Sequence, residues 1–200
     1  MIDIDGAGVP GLGLRPGDHM CALFFGPAER DAILKAYLRA GLRAGDKCLC
    51  VVDGVEPAEM LSRIDPADDP EPGQFEVRRS AEVYLRAGGA FSPDQMIDYL
   101  GETIRTATHD DGYEFVRAAG DMTWALARPV GVEQLFDYES EINRFAPLYP
   151  QMLLCMYDLE RFGGAILPDL LGTHPKILLG GMILDNPHYL SADEFQAVRS

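Results

Sequence analysis

No run of this sequence reaches the ~20 apolar residues that a helix needs to span a bilayer. Basic residues are few. The 200 residues hold 17 Lys and Arg against 32 Asp and Glu, a net charge of -15. That balance works against non-specific contact with nucleic acid or anionic membrane, since both are polyanions. The plainest account of the charge is a solvated acidic surface. Met1 to Gly13 has neither a basic start nor an apolar run, so no secretory signal is read there. Only four cysteines occur, Cys21, Cys48, Cys50 and Cys155, and they lie in apolar runs instead of loops. This is unlike a disulfide framework and predicts reduced thiols in a cytoplasmic protein.

Catalytic signatures are missing too. There is no GxxxxGK[ST] phosphate loop, no GxGxxG turn after a strand, no GxSxG elbow and no HExxH. Gly88-Gly89, Gly163-Gly164 and Gly180-Gly181 lack phosphate-loop spacing and read as turns or close packing.

What is present is the pattern of one globular domain. Hydrophobic residues make up 47% and charged ones 24%, enough to bury a sizeable core. Residues 1–13 are Gly-rich and read as a loose arm, and residues 14–200 as a single domain. Residues 65–73, DPADDPEPG, read as an acidic surface loop. Apolar runs at 19–25, 48–52, 75–79, 114–120, 152–158 and 176–184 read as strands. Several are nearly continuous, as in strands covered on both faces. Helical stripes lie between them. Ile33, Leu34, Tyr37, Leu38 and Leu42 share one over 28–44, which Gly45 stops. Ser92-Pro93-Asp94-Gln95 opens another over 93–109 with the residues of a capping box. A third runs over 131–146, and Pro168 kinks or delays a fourth at 163–172. Strands alternating with helices predict a three-layer α/β domain with a mostly parallel sheet.

Four features carry candidate chemistry. His19 and Cys21 share a strand face, as do Cys48 and Cys50. Together they offer four soft ligands, and Cys155 offers a fifth. No CxxC-type knuckle accompanies them, and buried cysteine commonly acts as a small hydrophobe. A ligand-facing His19 or reactive Cys21 stands against a hydrogen-bonded core histidine beside an inert thiol. On the 131–146 helix, Glu139 and Asn143 fall on the apolar stripe, four residues apart. A buried carboxylate requires a partner, with Arg117 or His19 as candidates. The pair either lines a pocket or clamps helix to sheet. Trp124, the single tryptophan, follows the strand bearing Arg117. It either walls an apolar pocket or plugs the core. Asp158 ends an apolar strand, like the second metal-supporting element of nucleotide hydrolases. Without a phosphate loop it has nothing to support.

Six segments in order resemble the MEDS domain, a sensory domain of methanogens, methylotrophs and the dichloromethane regulator DcmR. They are GDHMCALF (17–24), LRAGLRAGDKCLCVV (38–52), GDMTWAL (120–126), YESEIN (138–143), CMYDLERF (155–162) and THPKILLGG (173–181). The resemblance implies a degenerate relative of the RecA/KaiC ATPase fold. It also implies sensing of small molecules, hydrocarbon derivatives among them. The phosphate-loop turn would fall at Phe25-Gly26-Pro27-Ala28-Glu29-Arg30. That stretch lacks the lysine and hydroxyl residue, has no donor at Pro27 and carries a negative charge at Glu29. ATP binding in the usual mode is therefore not expected. Family motif positions are His19, Cys21, Trp124, Tyr138, Glu139, Asn143, Tyr157, Asp158 and His174.

The sequence is thus read as a non-catalytic sensory domain. The expected ligand-binding set is those nine residues with Arg117, and no cofactor is expected. No helix-turn-helix or kinase module is seen, so output is expected through a separate regulatory protein of kinase, anti-sigma or transcription-factor type. No direct nucleic-acid or membrane contact is expected, and homo-oligomerisation stays open. The alternatives are a ligand-independent docking adaptor, a redox or metal sensor built on His19, Cys21, Cys48 and Cys50, and a residual nucleotide hydrolase using Asp158.

Overall fold

A computed structural model describes residues 14–64 and 70–199. The arm expected over residues 1–13, and residues 65–69 of the acidic loop, lie outside the described residues. The elements run β1 (His19–Phe24), α1 (Gly26–Ala44), β2 (Lys47–Val51), α2 (Pro57–Ile64), β3 (Phe75–Arg78), α3 (Ser80–Val83), α4 (Pro93–Arg105) and β4 (Val116–Asp121). After a 3-10 segment at Met122–Ala127 come α5 (Leu135–Phe145), β5 (Gln151–Asp158), α6 (Leu159–Phe162), α7 (Leu167–Thr173), β6 (Lys176–Leu179), β7 (Met182–Asp185) and α8 (Ala192–Arg199).

Among the described residues, seven strands form one sheet in the order β3-β2-β4-β5-β1-β6-β7. All pairs are parallel except β6 with β7. The expected three-layer α/β architecture is therefore present. One strand assignment differs. KILLGGMIL is two strands, because Gly180 and Gly181 both adopt positive φ and fold the run into an antiparallel hairpin. The apolar pattern alone could not reveal the turn, since β6 and β7 both contribute hydrophobic residues.

The central strands explain their own composition. β1, β2 and β5 are buried at every position, so alternate residues feed two separate cores. Met20, Ala22, Phe24, Cys48 and Cys50 join Ile33, Leu34, Tyr37 and Leu38 of α1 on one face. Cys21, Leu23, Leu49, Val51, Leu153, Cys155 and Tyr157 join α4, α5 and Leu170 of α7 on the other. Tyr37, fully buried, donates its hydroxyl hydrogen to the Met152 carbonyl at 2.9 Å and ties α1 to β5.

Helix ends mostly follow the sequence. Gly45 closes α1 at φ 82, and its N–H bonds back to the last turn. Pro168 sits in the first turn of α7, so that helix starts late instead of kinking. Ser92 occupies the N-cap of α4 in extended backbone, yet its side chain makes no capping bond. The helix beyond Arg105 widens to a π turn over Thr106–Asp110.

Gly131 leads into α5 at φ 88, and a Cβ there would meet the Phe91 carbonyl oxygen at 2.1 Å. Gly131→Ala is expected to destabilise by about 1–3 kcal/mol, measured as a shifted urea midpoint. Gly112→Ala, at φ 80 with open space around it, isolates the dihedral contribution and should shift the midpoint less.

Candidate functional site

The residues of interest gather on the α5 side of the sheet. Period-2 alternation puts His19 and Cys21 of β1 on the same face as Leu153, Cys155 and Tyr157 of β5, with Cys21 directly beside Cys155. Helix α5 lies across them and presents Glu139 and Asn143, one turn apart. Helix α7 ends at Thr173, which brings His174 into the same space.

Glu139 is the hub. It is 0% exposed. Its Oε2 lies 3.1 Å from His19 Nε2, 3.4 Å from Cys155 Sγ and 3.5 Å from His174 Nε2. Its Oε1 accepts the Tyr157 hydroxyl hydrogen in a short bond. His19 Nε2 and Cys155 Sγ are 3.4 Å apart, and the two imidazole rings lie tilted at 4.3 Å between centroids.

Outer contacts fix the orientation of both imidazoles. The Asn143 amide nitrogen donates to the carbonyls of Thr173 at 2.6 Å and Glu139 at 3.1 Å. Its oxygen therefore faces His19 Nδ1 at 3.1 Å, which must carry the hydrogen. His174 Nδ1 lies 3.1 Å from the Leu170 carbonyl and 3.0 Å from Thr173 Oγ1. The Thr173 hydroxyl gives its own hydrogen to Asp169 O at 2.9 Å, so Nδ1 is the donor here as well. In the neutral rings, both Nε2 lone pairs then point at the carboxylate.

Burial pushes the His19 imidazole below its usual pKa, and neighbouring His174 adds to this, against the pull of Glu139. Burial also opposes a charge on Glu139. Hydrogen bonding and attraction from the rings of His174 and His19 in their protonated forms outweigh it, so the carboxyl lies below the ordinary carboxylate range. The arrangement is one buried carboxylate shared by two imidazoles. Burial pushes the Cys155 thiol and the Tyr157 phenol up, and Glu139 pushes them further, so both keep their hydrogens at neutral pH.

Beside this cluster lies a small cavity of about 30 Å³. Leu49, Tyr84, Met96, Tyr138, Leu153 and Cys155 are among its walls. Tyr138 meets Phe91 edge-on at 5.5 Å, and Trp124 stacks on Tyr84 at 4.9 Å. A larger surface pocket of about 220 Å³ shares Val83, Tyr84 and Met96 with the cavity.

A family model described as "MEthanogen/methylotroph, DcmR Sensory domain" matches residues 18–175. The chain belongs to the MEDS family. It is also similar to the transcriptional repressor DcmR of Methylorubrum extorquens, 29% identical over 175 residues. That match takes in 83% of this chain and 61% of the repressor. In fold, this MEDS chain is similar to the flagellar accessory protein FlaH of Methanocaldococcus jannaschii. The TM-score is 0.54 at 11% identity, over 86% of this chain and 77% of FlaH. The expected three-layer α/β fold with a mostly parallel sheet thus has a solved counterpart. The family is described as a sensory domain, and a sensory role follows from that membership.

The MEDS motif residues separate into groups. His19, Glu139, Asn143, Tyr157 and His174 converge, whereas Tyr138 and Trp124 belong to the cavity and its aromatic wall. Cys21 is fully buried beneath the cluster, and its thiol pKa is raised by burial. Asp158 caps α6 and accepts from Gly26 N at 3.3 Å and Glu160 N at 3.0 Å. Arg117 lies on the opposite face, where its Nε donates to Asp46 at 2.6 Å, so the partner of Glu139 is His19 and not Arg117. The quartet His19, Cys21, Cys48 and Cys50 does not converge. β4 and β5 lie between β1 and β2, and Cys48 and Cys50 face α1. Cys155 is absent from the expected binding set, although its place two residues before Tyr157 on a strand puts both on one face.

Two outcomes are expected. Glu139→Ala leaves the Tyr157 hydroxyl and both imidazoles without their common partner. It should lower stability by roughly 3–5 kcal/mol in chelator-treated protein, read by urea unfolding. All four thiols are free and buried, and burial pushes Cys48 and Cys50 up to about 12. Ellman's reagent at pH 8 should therefore find no fast-reacting thiol until denaturant is added.

Proposed function

We propose that this chain is a non-catalytic sensory domain whose cavity beside the Glu139 cluster takes up a small, mostly apolar molecule. Occupancy would shift the domain between two conformations that a regulatory protein tells apart. The cavity beside the Glu139 cluster is the observation that carries this reading. Its walls are apolar and aromatic, with the Cys155 thiol and the Tyr138 ring as polar points. That is the usual make-up of a small-ligand site. At about 30 Å³ it has room for about two or three water-sized units, so the ligand class is a compound of very few heavy atoms. The shared walls Val83, Tyr84 and Met96 support entry from the surface pocket by side-chain movement.

The enzymatic alternative has a specific obstacle. At the turn where a phosphate loop would bind, Phe25 N donates to Glu29 at 2.8 Å and Gly26 N to Asp158 at 3.3 Å. Pro27 has no N–H to give. The repressor relative supports a role in regulating transcription. Output to a separate regulatory protein is part of the proposal.

Trp124 is the only tryptophan and stacks on the cavity wall, so its fluorescence is the natural reporter. A titration series of one- to three-carbon alcohols, thiols and halocarbons should contain at least one saturable response. Ala118→Val narrows the cavity and should abolish that response while far-UV circular dichroism is unchanged. If no compound saturates, or the variant responds like the parent, the cavity is not the sensing site.

A further inference from the structure

We propose that His19, Glu139, Cys155 and His174 form a binding site for one divalent transition-metal ion of zinc type. The proposal is independent of what occupies the cavity.

Each of the four offers one ligand atom, and these atoms all lie within 4.8 Å of one another. Four contacts among them measure 3.1, 3.4, 3.4 and 3.5 Å. A tetrahedral ion with bonds of about 2.0–2.3 Å sets its ligand atoms roughly 3.3–3.8 Å apart. Four of the six edges of such a tetrahedron are therefore close to length already, and the two from His174 to His19 and Cys155 are within 4.8 Å.

The lone pairs point the right way. Nδ1 of His19 is held by Asn143, and Nδ1 of His174 by Leu170 and Thr173, which turns both Nε2 atoms inward. His174 Nε2 is fully buried and has no hydrogen-bond partner. Its 3.5 Å approach to Glu139 sets a lone pair against a carboxylate, which a cation between them would resolve. Tyr157 holds the other carboxylate oxygen and leaves Oε2 facing the centre. Such outer bonds are what orient metal ligands.

The charge also balances. Binding expels the Cys155 thiol proton to solvent, while the Glu139 carboxylate is already ionised and both Nε2 lone pairs are already free. A thiolate and a carboxylate then offset the two positive charges of the ion. No net charge is left in a site where every ligand is buried.

The test uses the purified full chain, stripped by chelator and titrated with Co²⁺. One ion per chain should bind, with the strong visible bands of a tetrahedral centre and a near-ultraviolet thiolate-to-cobalt band, and Zn²⁺ should displace it. Cys155→Ser should remove the thiolate band, and His174→Ala should lower the Co²⁺ stoichiometry. Asn143→Ala should weaken binding about 10–100-fold, while His109→Ala, at an exposed site, should change nothing. Absence of a saturable thiolate band in the wild-type chain overturns the proposal, whatever the folding of the variants. Persistence of that band in Cys155→Ser overturns it equally.

Discussion

A single buried carboxylate organises this domain. Glu139 belongs to α5, but its partners come from β1, β5 and the end of α7, which are remote in sequence. Removing a carboxylate from water is costly, and it is tolerated only where donors meet it. The requirement fixes the rotation of α5 on the sheet and the depth to which α7 descends, because His174 must reach the same oxygen. Asn143, one turn on, binds His19 and the Thr173 carbonyl together and locks both placements. The cavity is then what remains between this fixed point and the aromatic group of Tyr84, Trp124 and Phe91.

Much of the fold was legible because the two cores demand it. Strands covered on both faces read as unbroken apolar runs, and β1, β2 and β5 are such strands. Helix α5 showed its inner face through Leu135, Glu139, Ile142 and Asn143 at helical spacing, and a carboxylate on that stripe announced a buried partner. Which partner could not be read. Arg117 and His19 both sit on strands, and only the register of β4, which sets Arg117 beside Cys48, places Arg117 on the α1 face. Register is a property of the assembled sheet and leaves no local trace. The hairpin at Gly180-Gly181 escaped for a different reason. Its two arms are both apolar, so the alternation that normally separates strands was missing.

The cysteines show the same limit from the chemical side. Alternation correctly paired Cys48 with Cys50 and His19 with Cys21 on shared faces. Convergence, however, depends on which faces meet, and these two pairs back onto opposite layers. The sulfur that does join the cluster, Cys155, lies in a run so uniformly hydrophobic that nothing marks it except its parity with Tyr157. Cys155 also lines the cavity, so one residue borders both the cluster and the space beside it.

The turn after β1 has a consequence for anion recognition. Glu29 and Asp158 hold the amides of Phe25 and Gly26 from within the chain. They act as resident anions, covalently tethered to the positions they fill. A tethered anion cannot be exchanged, so these two amides at the start of α1 are already spoken for and offer nothing to a diffusible one.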